Sequence, residues 1–340
     1  MARLLRRLAA LATGLTLLCS CGVSAPKSAD VQFTAMDTFM HLTAYGDGAQ
    51  GALTAAQQRL LALESSLSVT DPNSEVFALN RGAGQPVAVC DETAALLDFA
   101  LAMARRTDGA VDPTVYPLVQ AWGFTTDQHR VPQQDELNRL LTFVGAEQVT
   151  LDGNIVTLSP GAMLDFGSVA KGWAGDRLVE ALKQSGISSA ILRLGGNIQT
   201  VGTKPDGSDW VVGIQDPDSE AMLGRLSVHD CAVVTSGGYQ RAFTEHGETY
   251  WHIVDPATGY PARSGLTSVT IVAPSGALCD ALSTALFVMG PDKAAQHWNE
   301  YRDFEAVLVH ADGSITITAG LEGNFALVAG YTQREVTVLR

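Results

Sequence analysis

Apolar residues recur at helical spacing in four stretches of the chain. Apolar positions three and four residues apart predict helices, and acidic residues or glycine at the flanks mark their ends. Asp91 and Glu92 stand where acidic side chains favour a helix start, and Gly186 follows the end of the third stretch. The predicted helices cover residues 51–67, 91–105, 168–184 and 279–288.

Short apolar or alternating runs predict strands in most of the remaining sequence. Asp152-Gly153-Asn154 is a typical hairpin turn within residues 145–158. Strands come in runs and do not alternate strictly with helices, which predicts an α+β fold: a single compact mixed domain with antiparallel-rich sheets and packed helices. The other predicted strands cover residues 32–45, 190–194, 210–215, 232–235 and 266–272, with four more in the last 35 residues.

The first 20 residues have the pattern of a secretory signal peptide. Arg3, Arg6 and Arg7 precede a short apolar run over residues 8–18. The run is shorter than a membrane-spanning helix, and no later stretch reaches about 18 uninterrupted apolar residues. We therefore expect an exported protein without a spanning helix.

The signal ends in Leu18-Cys19-Ser20-Cys21-Gly22, which resembles a bacterial lipobox with Cys21 as the lipidated residue. The alternative is an ordinary signal peptide that contains two incidental cysteines. Lipidation would anchor the protein to the periplasmic or other extracytoplasmic face of the cell membrane.

This interpretation divides the chain into three parts. Residues 1–20 are the signal peptide, and residues 21–31 are a lipidated tether of mostly small and polar residues. Residues 32–340 are the functional domain.

The composition indicates a folded acidic protein. Apolar residues make up 46% of the chain and charged residues 17%, which excludes a disordered chain. The net charge of −14 becomes −17 without the three signal-peptide arginines, so nucleic-acid binding through phosphates is disfavoured. The acidity has two explanations, a solvated surface or a cation site.

Several common site signatures are missing from the sequence. It contains no GxxxxGK[ST], GxGxxG, HExxH or GxSxG motif, which argues against P-loop, Rossmann, zincin and α/β-hydrolase enzymes. Cys90, Cys231 and Cys279 show no zinc-binding spacing, and three cysteines cannot all pair within one chain.

Asp165 follows an apolar run and precedes a predicted helix. Ser168 is a candidate N-cap of that helix, and Lys171 lies in its first turn, where a cation is unfavourable. An anionic ligand at the helix start would explain the lysine. The alternative is a capped helix with a surface lysine.

Asp280 and Thr284 are four residues apart, so they share one face of a predicted helix. Their neighbours are apolar, and a buried carboxylate needs a partner. A carboxylate beside a hydroxyl suits a hard cation such as Mg²⁺. The alternative is a carboxylate that caps the helix or pairs with arginine.

Three further segments are ambiguous by themselves. His252 opens a strand that runs into a Pro/Gly turn, where it is either a general base, a metal ligand or a structural histidine. The loop 107–114 and the glycine turn 194–197 either approach a flat ligand or serve only as turns.

Seven motifs follow one another along the chain. They are MDTF (36–39), TDGAVDPTVYPLVQAWGF (107–124), LDFGSVAKGWAGDRL (164–178), LGGN (194–197), TSGGYQRAF (235–243), HIVDPATGYP (252–261) and CDALSTALFVMG (279–290). Taken together and in this order, they resemble the ApbE family of FAD:protein FMN transferases over residues 33–330. The resemblance implies that FAD and Mg²⁺ bind and that the FMN half is transferred to a threonine hydroxyl, with release of AMP. The acceptor would be a flavoprotein subunit of a membrane redox complex.

The resemblance also implies roles for individual residues. His252 matches the proposed catalytic base, with Asp280 as a rival for that role. The metal ligands would be Asp280 and Thr284, with Ser283 adjacent and Ser168 completing the site. Residues around the cofactor would be Met36, Thr70, Ala110, Val111, Asp112, Asp165, Lys171, Ile253 and Val254.

Three positions depart from the family pattern. Asp37 replaces a glycine, Gly238 replaces an aspartate, and Thr70 stands where the family often has an aromatic residue. Two alternatives to transfer are hydrolysis of FAD to FMN and AMP, and non-enzymatic flavin binding by a lipoprotein.

Overall fold

The computed structural model describes residues 27–82, 84–126, 128–239 and 241–340. The predicted signal peptide, Cys21 and most of the predicted tether lie outside these residues.

The strands and helices are as follows. The strands are β1 (Ser28–Ala35), β2 (Thr38–Tyr45), β3 (Val87–Ala88), β4 (Val149–Asp152), β5 (Ile155–Leu158), β6 (Ser189–Leu194), β7 (Asn197–Val201), β8 (Trp210–Gln215), β9 (Met222–Val228), β10 (Ala232–Gly237), β11 (Ala242–Glu245), β12 (Glu248–Trp251), β13 (Leu266–Ala273), β14 (Glu305–His310), β15 (Ile315–Thr318), β16 (Phe325–Leu327) and β17 (Val336–Leu339). The helices are α1 (Ala49–Leu67), α2 (Glu75–Arg81), α3 (Asp91–Arg106), α4 (Tyr116–Trp122), α5 (Gln134–Leu141), α6 (Ala170–Gln184), α7 (Gly276–Met289) and α8 (Pro291–Tyr301).

A nine-stranded sheet organises the described part of the chain. Its order is β1-β2-β6-β7-β10-β13-β14-β15-β17, and β15 and β17 form its parallel pair. Two three-stranded sheets, β16-β9-β8 and β3-β5-β4, and the hairpin β11-β12 complete the strands. The predicted α+β fold with antiparallel-rich sheets and packed helices is confirmed.

The stretch 32–45, predicted as one strand, is a hairpin. β1 and β2 pair in antiparallel register from Ser28 opposite Tyr45 to Ala35 opposite Thr38. Met36 and Asp37 form the turn, and both have positive φ, which a tight turn between twisted strands requires. Methionine gives no turn signal, so the sequence did not reveal the break. Residues 28–31, which the sequence assigned to the tether, therefore lie in the sheet.

The four predicted helices correspond to α1, α3, α6 and α7. The main differences are at the helix starts. α6 begins at Ala170, and the residue before it, Val169, makes no side-chain capping hydrogen bond. The prediction of Ser168 as N-cap was therefore wrong. α7 begins three residues before its predicted start because Ser275 caps Leu278. The short helices α2, α4, α5 and α8 were not predicted.

The two faces of the large sheet carry separate hydrophobic cores. On one face α1, α6 and α7 pack over residues such as Val234 and Ile271. On the other face the sheet β16-β9-β8 covers residues such as Val233 and Val307. Because strand residues alternate between faces, neighbouring positions in β10 belong to different cores.

α6 and α7 cross in direct backbone contact. A Cβ atom on Gly172 would lie 2.1 Å from the carbonyl oxygen of Gly276. Beneath the crossing, Gln199 Nε2 of β7 donates to the Gly172 carbonyl oxygen at 3.1 Å. The absence of a side chain at these two glycines therefore sets the distance between the helices.

Among the described residues, no helix is both long enough and apolar enough to span a lipid bilayer.

We expect Gly172→Ala to lower the free energy of unfolding by about 1–3 kcal/mol, because the added methyl group overpacks the crossing. Gly51→Ala is the matched control: Gly51 lies in α1 with no atom within 4 Å of an added Cβ. It should raise the free energy of unfolding by about 0.5 kcal/mol. Urea unfolding of both variants measures these changes, and equal stability of the two would contradict the prediction.

Candidate functional site

The polar face of α7 carries three of the predicted metal ligands. Asp280 is only 4% exposed, and its Oδ2 accepts a hydrogen bond from the Gly172 N–H at 2.9 Å. Ser283 Oγ lies 2.8 Å from Ser236 Oγ of β10, and Thr284 Oγ1 lies 3.3 Å from the same atom. The predicted shared face of Asp280 and Thr284 thus meets both α6 and β10. The partner shown for the carboxylate is a backbone N–H rather than an arginine.

Ser168 lies just before α6, two residues ahead of its first residue, Ala170. In a continuous helix the Gly172 N–H would donate to the carbonyl four residues earlier, which is that of Ser168. Here the Gly172 N–H donates to Asp280 instead. This geometry favours the Ser168 carbonyl over its hydroxyl as a further oxygen ligand.

Asp176 holds the start of α7 against α6. Its carboxylate accepts hydrogen bonds from Ser275 Oγ at 2.9 Å, from the Gly276 N–H at 2.6 Å and from the Ala277 N–H at 3.0 Å. Burial raises the pKa of Asp176, and these three donors oppose that rise. Asp176 was not predicted from the sequence. The one pattern that could have indicated it is its position one turn after Gly172, as an acidic residue in a helix that is largely buried.

The donor set on α7 fits a hard divalent cation better than a transition metal. Among the described residues, no group of three or more histidine, cysteine, aspartate or glutamate side chains is placed to hold a metal. Asp280, Ser283 and Thr284 offer one carboxylate and two hydroxyl oxygens. Oxygen ligands of this kind suit Mg²⁺, which completes its shell with waters and substrate phosphates.

His252 lies directly after β12, outside the strand in which the sequence placed it. Its Nδ1 is 3.3 Å from the Arg241 carbonyl oxygen, and its backbone N–H donates to the same oxygen at 3.0 Å. Because a carbonyl only accepts, Nδ1 carries the proton and Nε2 is left as the basic atom. Burial and the positive charges of Arg241 and Lys171 lower the pKa of His252 to about 4. The imidazole is therefore neutral at pH 7.

Asp165 and Lys171 meet around the backbone of Gly167. The Gly167 N–H donates to Asp165 Oδ1, and Lys171 Nζ donates to the Gly167 carbonyl oxygen at 3.3 Å. Burial raises the pKa of Asp165, while the Gly167 N–H and the charges of Lys171 and Arg241 oppose the rise. Lys171 thus folds back over the helix start and adds positive charge there.

The loop 107–114 is fastened to the segment that carries Asp165. The Asp165 N–H donates to the Pro113 carbonyl oxygen at 2.8 Å. Within the loop, Asp112 Oδ1 accepts from the Thr114 N–H at 2.8 Å and from the Thr114 hydroxyl at 2.5 Å. Burial raises the pKa of Asp112. Val111 is buried and Ala110 is half-buried.

Asn80 of α2 clamps the same segment and was not predicted from the sequence. Its amide donates to the Leu164 carbonyl at 2.9 Å and accepts from the Leu164 N–H at 2.6 Å. α2 was not predicted either, so no pattern in the sequence pointed to this contact.

The hairpin turn at Met36 and Asp37 borders the site. The Met36 N–H donates to Glu64 Oε1 of α1 at 2.5 Å. Arg241 Nη2 donates to the Asp37 carbonyl oxygen at 3.2 Å, and its Nη1 lies 3.9 Å from Asp37 Oδ2. Asp37, which stands where the family pattern has glycine, therefore gives Arg241 an anionic partner, and the Arg241 carbonyl in turn binds His252.

The remaining predicted cofactor residues occupy different environments. Ile253 is buried in the core beneath the helices, and Val254 is buried among Leu118 and Trp122. Thr70 is exposed in the turn after α1, where its N–H donates to Ser68 Oγ at 3.2 Å. Among the described residues, no hydrogen bond joins Thr70 to the residues around His252.

Two surface cavities lie away from Asp280 and His252. A cavity of about 440 Å³ lies between α6 and the segment before α7, next to Asp176 and Pro274. Another of about 400 Å³ borders the loop after Val254, next to Tyr260 and Arg263. Neither is lined by Asp280 or His252, so the site is defined by its side chains rather than by cavity size.

Comparison with known proteins places the chain in one family. The ApbE family model matches residues 36–308. The chain is 36% identical over 277 residues to the FAD:protein FMN transferase of Treponema pallidum (strain Nichols), covering 76% of each chain. It is 32% identical over 275 residues to the protein of that name from Klebsiella pneumoniae (strain 342), covering 79% of this chain and 85% of the relative.

The fold agrees with that of a solved structure. The crystal structure of the ApbE protein from Thermotoga maritima superposes with a TM-score of 0.83 at 32% sequence identity, covering 88% of this chain and 99% of that one. With the match of the family model over most of the described residues, this shows that the chain belongs to the ApbE family.

Proposed function

We propose that the chain is an FAD:protein FMN transferase that uses Mg²⁺ to move FMN from FAD to a threonine hydroxyl of a target flavoprotein, releasing AMP. The names of its relatives support the transferase activity. The observation that carries the proposal is the hydrogen bond between the Gly172 N–H and Asp280. It joins the oxygen ligands of α7 to the helix start that carries Lys171.

Asp280, Ser283 and Thr284, with the Ser168 carbonyl, would hold the Mg²⁺ ion. When bound, the ion neutralises charge on the pyrophosphate of FAD and so lowers the barrier to its cleavage. The Gly172 N–H fixes one oxygen of the Asp280 carboxylate, which orients the other before the cofactor arrives.

His252 would act as the general base. Its neutral imidazole takes the proton of the threonine hydroxyl on Nε2, while Nδ1–H stays bound to the Arg241 carbonyl. The hydroxyl oxygen forms a bond to the FMN phosphorus as the bond from that phosphorus to the bridging oxygen breaks, and AMP leaves with that oxygen. Asp280 is less suited to this role, because one of its oxygens already accepts from Gly172.

The cofactor would lie along the loops that meet at Asp165. Lys171 and Arg241 would supply positive charge to its phosphates; both are close enough to act electrostatically on His252 and Asp165. The flavin and adenine contacts would come from Met36, Thr70, Ala110, Val111, Asp112, Asp165, Ile253 and Val254.

We further propose that the protein is exported and anchored to the extracytoplasmic face of the membrane by lipidated Cys21. The tether would hold the transferase near an acceptor that is a flavoprotein subunit of a membrane redox complex.

Asp280→Asn should abolish most FMN transfer, because it removes the negative charge that holds the cation next to the phosphates. The assay incubates the protein with FAD, Mg²⁺ and an acceptor domain, and mass spectrometry follows the gain of one FMN by the acceptor. EDTA should stop transfer and Mg²⁺ should restore it. Asp206→Asn, in an exposed turn between β7 and β8, is the matched control and should retain full activity.

The same assay separates the alternatives. FMN and AMP without acceptor labelling would identify an FAD hydrolase. Tight FAD binding without turnover would identify a flavin carrier. Full transfer by Asp280→Asn would contradict the metal role of Asp280.

Arg241→Gln should raise the pKa of His252, because it removes a nearby positive charge that disfavours the imidazolium. In the unmodified protein, kcat/KM should fall as pH drops through about 4, where His252 becomes protonated. In the variant this fall should occur at higher pH, short of 6.5 because burial, the larger cause, remains.

NMR titration of the His252 ring and pH profiles of kcat/KM measure this shift. The control is Arg263→Gln, which removes an exposed arginine that stacks on Trp251. If kcat/KM falls at the same acidic pH in Arg241→Gln and Arg263→Gln, the charge of Arg241 does not lower the pKa of His252.

Cys21→Ser should abolish incorporation of labelled fatty acid and move the protein from the membrane fraction to the soluble fraction. Cys19→Ser, two residues away, is the control and should remain lipidated. Membrane retention of the Cys21 variant would count against the lipid anchor.

A further inference from the structure

Asn197 is a buried side chain whose polar atoms are unsatisfied. The residue is 0% exposed, and neither its Oδ1 nor its Nδ2 has a hydrogen-bond partner among the described residues. Leaving a buried polar group unpaired costs about 1–3 kcal/mol, which an apolar residue of similar size would avoid. An amide at this position therefore indicates a hydrogen-bond partner that is not part of the described chain, such as a bound ligand.

The register of the sheet fixes the face on which Asn197 lies. Asn197 stands opposite Val234 of β10, whose side chain packs in the core beneath the helices. Directly opposed residues of an antiparallel pair point to the same face, so the Asn197 amide faces α6 and α7. Gln199, two residues further along β7, confirms the direction because its amide reaches Gly172 of α6.

Two contacts fix the position of α7 above this part of the sheet. At one end Gln199 touches Gly276, since an added Cβ on Gly276 would lie 1.8 Å from Gln199 Nε2. At the other end Ser236 of β10 lies 2.8 Å from Ser283, Oγ to Oγ. The segment of α7 that carries Asp280 spans the distance between them.

Asn197 lies at the level of Asp280 between these two contacts. Asp280 follows Gly276 by four residues, a helical rise of about 6 Å. Asn197 precedes Gln199 by two residues, a strand rise of about 6.7 Å in the same direction, towards Ser236. The unpartnered amide is therefore beneath the turn of α7 that carries the proposed metal ligand.

We propose that Asn197 is an additional residue of the cation and phosphate site. Its Oδ1 serves the divalent cation, either as a ligand or through a water of its shell, and its Nδ2–H₂ donates to a phosphate oxygen of the cofactor. A neutral amide oxygen is a suitable ligand for Mg²⁺, and amide N–H groups bind phosphate oxygens. This inference rests on the proposed metal-dependent function.

The test measures Mn²⁺ binding directly, from the loss of the free Mn²⁺ signal in electron paramagnetic resonance, with and without FAD. Asn197→Leu should weaken Mn²⁺ binding by about tenfold or more, the usual effect of removing a residue that supports a metal site. Without metal, Asn197→Leu should be at least as stable to urea as the unmodified protein, because unpaired polar atoms are replaced by apolar ones. Asn197→Asp should retain Mn²⁺ binding, because it keeps an oxygen ligand.

Ser268→Ala is the matched control. Ser268 is also 0% exposed with an unpartnered hydroxyl, but it opposes Val309 on the other face of the sheet. Its removal should leave Mn²⁺ binding unchanged. Asp280→Asn is the reference variant and should lose Mn²⁺ binding.

Three results would overturn the inference. If Asn197→Leu binds Mn²⁺ normally while Asp280→Asn does not, the proposed role of Asn197 is rejected and the metal site at Asp280 stands. Reduced stability of Asn197→Leu without metal, whatever its Mn²⁺ binding, would make the amide structural. Normal binding by Asp280→Asn as well would reject the proposed metal site itself. If Asn197→Leu does not fold, Asn197→Ala provides the same comparison.

Discussion

The close backbone contact between α6 and α7 is the constraint on which the site depends. A side chain at Gly172 or Gly276 would separate the helices, because each Cβ would overlap atoms of the other helix or of Gln199. At this distance the Gly172 N–H reaches the Asp280 carboxylate. A buried carboxylate is costly unless it is hydrogen-bonded, and here the Gly172 N–H supplies that bond to one of its oxygens.

The rest of the fold fixes this contact from several directions. Asp176 ties the first turn of α7 to α6, and Gln199 joins both helices to the sheet. Ser236 meets the hydroxyls of Ser283 and Thr284 two turns further along α7. Because the sheet register sets the spacing of Gln199 and Ser236, the position of the proposed ligands is determined mainly by strand pairing.

The features that the sequence revealed are those set by local periodicity and by the order of motifs along the chain. Asp280 and Thr284 share a face because they are four residues apart in a helix, and the seven motifs in order were sufficient to indicate the family. The start of α6 could not be read in this way, since its Gly172 N–H is satisfied by a carboxylate 108 residues away. The turn at Met36 and the contact of Asn80 with Leu164 likewise depend on tertiary packing.

Electrostatics in the site differ from those of the chain as a whole. The protein has a net charge of −14, yet His252 is influenced chiefly by burial and by two cations, Lys171 and Arg241. Those two positive charges disfavour the imidazolium and so keep His252 in its neutral form. The same charges would attract the phosphate oxygens of a ligand bound nearby. A cation bound at Asp280 would add to the same positive field. An acidic protein can therefore hold an anionic cofactor, provided that positive charge is concentrated where the phosphates lie.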